Sequence, residues 1–199
     1  MTGRRLSLGL VLLLATLLES VQACTSLPRI VVLHDPLTPQ EHVTLGEAYQ
    51  VQGDPERAAR EFEAALRQQP EYVPAVIGLG NLSFERGALN EAETFYRRAL
   101  DTAPDHPGAS NNLAMVYLTR GDRLDEAERM ARNAGERGGF LRPYALDTLA
   151  RIYMRQGRYR EARTALELAE AMVPPDDTHL YQQLNRSKRE LAAAYSSHE

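Results

Sequence analysis

The sequence predicts an all-α fold, an α-solenoid of four helix pairs closed by a C-terminal capping helix. Three observations predict it. First, marker residues recur at a period near 34: Leu45, Leu79, Leu113 and Leu149 at steps of 34, 34 and 36, with Gly53, Gly87, Gly121 and Gly157 keeping the same steps. Second, each period holds two apolar-periodic stretches, the first ended by Gly and, in three of the four, the second followed by Pro, as two antiparallel helices and a tight turn require. Third, small residues mark both helices: Gly46, Gly80, Ala114 and Ala150 on the first, and Ala65, Ala99, Ala134 and Ala169 on the second. They let the helices approach closely while an aromatic fills the gap beside them. No single pair can bury its own faces, but four stacked pairs share one core.

Residues 1–23 read as an export signal. Arg4 and Arg5 precede an uncharged, Leu-rich run, Leu6 to Leu18, and a short polar stretch leads to Val21-Gln22-Ala23-Cys24. Thirteen helical residues span about 20 Å, short of a ~30 Å hydrocarbon core, which argues against a retained membrane span. The only cysteine follows a small residue at the end of this signal. Val21-Gln22-Ala23-Cys24 resembles a bacterial lipobox, departing from it at Gln22, and the resemblance implies lipidation of Cys24. A buried core residue or a leftover thiol is the other reading of a lone cysteine. Residues 24–38 then form a tether, in which Ile30 to Leu33 either add a strand to another protein or pack on the first repeat.

The repeats are expected at 39–72, 73–106, 107–142 and 143–176. Leu45-Gly46, Tyr49, Gly53, Ala58, Phe62, Ala65-Leu66 and Pro70 fill nearly every signature position of one unit. This pattern resembles the tetratricopeptide repeat (TPR) over roughly residues 39 to 176, and the resemblance implies a right-handed superhelix. Repeat three is irregular. It carries an extra residue in Gly121 to Ala127, has Ala131 where the others have Phe62, Tyr96 or Leu166, and ends in Gly135-Glu136-Arg137-Gly138-Gly139-Phe140. That Gly-rich segment is either a presented loop with Phe140 and Leu141 as its contact or a longer surface connection. Residues 177–199 are expected to hold a solvating cap, with Leu180, Leu184, Leu191 and Tyr195 on one face and no further role.

Composition narrows the function. The 199 residues carry 23 basic and 27 acidic side chains, a net charge of −4, without the basic excess of a nucleic-acid binder. All but Lys188 of the basic residues are Arg, so Lys-dependent chemistry would rest on one side chain. No nucleophile elbow, His-Glu-x-x-His, paired cysteines or Gly-rich phosphate loop is present, and His34, His42, His106, His179 and His198 are scattered singly. The expectation is a protein that is not an enzyme, takes no cofactor, metal or small-molecule substrate, and works through its surface. Its Glu and Arg runs are expected as solvated helix faces.

In tetratricopeptide proteins the first helix of each pair lines a concave groove. Carried over, the groove positions are Val43, Glu47 and Gln50; Ile77, Asn81, Phe84 and Glu85; Asn111, Met115, Leu118 and Thr119; Asp147, Arg151, Met154 and Arg155. About half are expected to pack between repeats instead. The positions of a carboxylate clamp are taken by Val43, Glu47 and Gly78, so the clamp of chaperone-tail binders is absent. The groove changes from acidic (Glu47, Glu85) to partly basic (Arg151, Arg155), which suits a helix or extended peptide with apolar anchors. The resemblance implies a lipid-anchored scaffold of a bacterial envelope, on the periplasmic face with the outer membrane favoured, binding a partner protein's segment. The alternative is an accessory subunit of an envelope peptidase, pilus, secretion or polysaccharide-export complex. Leu33 to His42 also looks like the lead-in to repeats fused to papain-like peptidases. Self-association through the first helix or the Gly-rich loop is a third course.

Overall fold

A computed structural model describes residues 35–196. The signal, Cys24 and the tether as far as His34 lie outside the described residues, as do residues 197–199. Among the described residues nine α-helices follow one another: α1 Pro39–Val51, α2 Pro55–Gln68, α3 Val73–Glu85, α4 Leu89–Thr102, α5 Pro107–Arg120, α6 Leu124–Arg137, α7 Arg142–Arg155, α8 Tyr159–Glu170 and α9 Thr178–Ser196. Each odd helix from α1 to α7 packs antiparallel on the next, and successive pairs stack into an α-solenoid.

Local chemistry sets these boundaries. Thr38 and Glu41 make a capping box at α1: the Glu41 N–H donates to Thr38 Oγ1 at 3.3 Å and the Thr38 N–H donates to Glu41 Oε2 at 2.7 Å. The Thr38 N–H and hydroxyl, both donating to Glu41 Oε2, hold the Glu41 carboxyl below its usual range. Asp54 caps α2 by accepting from the Arg57 N–H at 3.0 Å. Between the helices of every pair stands a glycine with φ between +74° and +78°: Gly53, Gly87, Gly121 and Gly157. Their recurrence reflects a left-handed turn that other residues enter at a cost.

The core explains the other small residues. Phe62 is fully buried, and a Cβ on Gly46 or on Gly78 would lie 2.7 or 2.6 Å from its ring. One aromatic from α2 therefore fills the space that two glycines, one on α1 and one on α3, leave open. Tyr96 does the same beside Gly80. The main core runs through repeats two to four and takes in Leu180, Leu184 and Leu191 of α9.

Two expectations are refined. The extra residue of repeat three is absorbed at Arg123, the one non-glycine with positive φ (48°) among the described residues. Its guanidinium stacks 5.3 Å from the Tyr117 ring centroid and donates to Glu93 at 3.0 Å, anchoring a backbone that costs roughly 1–2 kcal/mol. The charged runs are also more than solvated faces. Glu93 pairs with Arg97 on its own helix and with Arg120 and Arg123 of the next repeat, and Glu128 pairs with Arg132 and with Arg158. Burial pushes the Glu93 carboxyl up, but its hydrogen bond from Arg120 and the surrounding arginines outweigh that and hold it low.

The candidate groove and its closing helix

The first helices α1, α3, α5 and α7 run side by side and carry the predicted groove positions at equal register. Five of them meet in one recess of about 230 Å³: Asn81, Phe84 and Glu85 of α3 with Asn111 and Met115 of α5. Asn81 organises the floor, its Oδ1 accepting from Tyr96 Oη at 2.8 Å and from Asn112 Nδ2 at 2.9 Å. Burial first, then the Glu85 charge, push the Tyr96 phenol up, so it stays a donor. Gln50 reaches across from α1 to donate to Glu85 Oε1. The Asn111 Oδ1 is buried with no hydrogen-bond partner.

A second recess, about 410 Å³, lies beyond Met115 and is lined by Arg151 together with His179, Gln183, Arg186, Ser187 and Glu190 of α9. An Arg151 Nη1 sits 3.6 Å from Met115 Sδ at the boundary. The groove thus passes from an acidic, amide-rich recess to an Arg-lined one, with Met115 between them.

Three predicted contacts require correction. Val43 is 2% exposed and packs with Phe62 and Leu82 in the core of the first repeats, because its register turns it between α1 and its neighbours. Leu118 is 4% exposed and belongs to the main core. Asp147 is wholly buried, covered by α9, and its Oδ2 accepts from Gln183 Nε2 at 2.7 Å while its Oδ1 has no partner. Burial drives this carboxyl upward, against hydrogen bonds from Ser187 and Gln183 and the charge of Arg151, with Glu190 adding to the rise. Of the rest, Glu47, Thr119 and Arg155 are exposed, Ile77 and Met154 are half-buried against the core, and Arg155 leans over the Gly121 turn.

The last helix is more than a solvating cap. Asp177 caps it, accepting from the Leu180 N–H at 2.9 Å, and ties it to α7 by accepting from Tyr144 Oη at 2.6 Å. That bond to Asp177, then burial, push the Tyr144 phenol up to about 12. The docked helix places Gln183 in both recesses. Sequence reasoning missed Gln183, Tyr144, Asn112 and Thr148 as groove-lining residues. Asn112 and Thr148 stand beside predicted positions, so a groove stripe one residue wider would have found them. Nothing local in the sequence marks Gln183.

No described helix is long and apolar enough to cross a membrane, and no three metal-ligating side chains cluster among the described residues. The family described as a MalT-like TPR region matches residues 39–196. The chain is 31% identical over 155 residues to the cellulose synthase operon protein C of Xanthomonas axonopodis pv. citri (strain 306), covering 70% of this chain and 10% of that protein. It is 32% identical over 77 residues to the protein CTR9 homolog of Arabidopsis thaliana, covering 39% and 7%. This chain therefore spans a tenth or less of the length of these relatives. Among solved structures it is similar to TTC0263, a thermophilic TPR protein in Thermus thermophilus, with a TM-score of 0.64 at 20% identity over 77% of this chain and 82% of that one. MamA gives a TM-score of 0.56 at 19% identity, over 77% and 89%. Likeness at these identities is one of fold.

Proposed function

The chain belongs to the MalT-like TPR family, and on that premise we propose that it is a non-enzymatic scaffold holding a segment of a partner protein along the groove of its first helices. The observation that carries this reading is the recess at Asn81, Phe84, Glu85, Asn111 and Met115. It combines apolar walls with amide and carboxylate groups, the mixture that holds a peptide's side chains and its backbone. The reading includes an anchor. Residues 1–23 are the signal, and lipidated Cys24 fixes the scaffold to the cell envelope on the periplasmic face, at the outer membrane. Tethering confines scaffold and partner to one layer, so a weak groove contact stays occupied.

A second reading, accessory subunit of an envelope polysaccharide complex, is favoured by one observation, the likeness over 70% of this chain to a protein named for a cellulose synthase operon. Crosslinking the full chain in cells, extracting it in mild detergent and identifying co-purified proteins tests both. A Met115→Glu variant with unchanged thermal unfolding is expected to lose the partner, whose identity separates the readings. Retention of every partner by that variant refutes the groove. For the anchor, Cys24→Ser is expected to abolish signal processing and membrane partition; if both persist, the lipid reading fails.

A further inference from the structure

On the side of the second helices, away from the groove, α6 and α8 part over α7 to leave an apolar cleft of about 570 Å³. Its walls include Ala131 and Gly135 of α6, Leu146 and Leu149 of α7, and Ala165 and Leu168 of α8. The cleft exists because repeat three departs from the pattern. Ala131 stands where Phe62, Tyr96 and Leu166 fill the other repeats, and Gly135 stands where Leu66 and Leu100 do. A Cβ added at Gly135 would make only an ordinary contact, 3.8 Å from the Ala145 Cβ, so a side chain is tolerated there. Leu168 remains 50% exposed at the rim.

The same repeat also exposes an aromatic. Phe140 is 85% exposed on a one-turn 3-10 helix, Gly139–Leu141, that joins α6 to α7. Its flanking residues Glu136 and Arg142 both line the mouth of the cleft. We propose that the cleft receives Phe140 of a second copy of this chain, in a two-fold contact where each copy's Phe140 enters the other's cleft. Phe140 lies in sequence between the rim residues Glu136 and Arg142, so projection and cleft are neighbours on one molecule, which is the condition for an isologous contact that closes as a dimer. The charges at the mouth agree with this occupant. Arg142, Arg160 and Glu136 make no ion pair among the described residues. The mouth thus carries unpaired charges of both signs, which lets a two-fold contact pair Glu136 of one copy with an arginine of the other. The volume exceeds that of a phenyl ring, and an exposed aromatic entering an apolar pocket is the usual anchor of an interface.

Sedimentation equilibrium of the full chain, in detergent matched to the buoyant density of the solvent, reads the protein mass alone. The expected result is a concentration-dependent dimer, twice the 22.2 kDa of the chain. Phe140→Asp should weaken it by at least about tenfold. Gly135→Leu should do the same by filling the cleft, while leaving thermal stability equal or higher, since Leu is the better helix former. A monomer at every concentration overturns the proposal. So does a dimer that both variants leave intact, which would move self-association to the N-terminal segment. Sensitivity to Gly135→Leu with none to Phe140→Asp overturns it too, giving the cleft to a different apolar occupant.

Discussion

The Phe62 ring lies between two glycines, and this arrangement predicts a reversal of sign. In an exposed helix interior Gly→Ala stabilises by about 1 kcal/mol through the backbone. At Gly78 the new methyl would sit 2.6 Å from the ring of a side chain with no exposed surface, so neither partner can step aside. Overpacking of a dense core costs roughly 1–3 kcal/mol, which exceeds the backbone gain. Gly78→Ala is therefore expected to destabilise by about 1 kcal/mol net, or about 2–4 °C in a unit of this size. Replacing the ring should undo this. In a Phe62→Leu background the same Gly78→Ala change is expected to be neutral or stabilising, a coupling of at least about 1 kcal/mol between contacting residues. Gly135→Ala, with 3.8 Å of clearance, is the control and should stabilise the wild type. Urea unfolding followed by circular dichroism measures all four. A wild-type Gly78→Ala protein more stable than its parent would refute the reasoning, because the glycine would then be dispensable for the approach of the helices.

Two further perturbations address α9. Asp147 has its carboxyl raised above the ordinary 3.8 by burial, so the folded state holds its proton more tightly than the unfolded state. Its contribution to stability is complete below pH 3.8 and is lost as pH rises through the raised value. Asp147→Asn is expected to be more stable than wild type by about 1 kcal/mol once pH exceeds the raised value, where burial outweighs the Ser187, Gln183 and Arg151 interactions of the charged carboxylate, and no more stable below pH 3.8; melting curves across pH check it. Tyr144→Phe removes the donor to Asp177, and amide exchange in the first two turns of α9 should quicken several-fold while α1 to α4 stay unchanged. Equal acceleration everywhere would show that the bond stabilises the whole solenoid and not the closing helix.

The fold was legible because its determinants repeat. Gly53, Gly87, Gly121 and Gly157 each answer the same backbone demand, and four copies of one demand leave a period that a single glycine could not. The close approach at Gly46 was legible for the same reason, since Phe62 recurs as Tyr96 at the matching step. The groove was less so. Register places Val43, Ile77, Asn111 and Asp147 at equivalent points of four helices, yet Val43 is sealed in the first core while Asn111 borders an open recess. What separates them is the neighbour each one meets, and neighbours at the ends of the stack differ from those in the middle. Val43 belongs to the first helix of the stack, and Asp147 to the last pair, where α9 covers it.

The end effect is strongest at α9, and it bears on how the groove works. Apolar spacing marks Leu180, Leu184 and Leu191 as the buried face, and all three are buried. The face beside it carries Gln183, Ser187 and Glu190, which reads as solvated polarity in sequence because its partner, Asp147, lies 36 residues away on another helix. Only docking brings these groups together, and docking is held by the Tyr144–Asp177 bond at one end and the Leu180–Leu184–Leu191 stripe along the helix. The buried carboxylate works against that docking when charged, while the apolar stripe works for it. A helix balanced in this way sets the width of the Arg151 recess. A partner segment seated in that recess meets Arg151 of α7 together with Arg186 and Glu190 of α9, so the contacts it makes with α9 add to the docking of the closing helix.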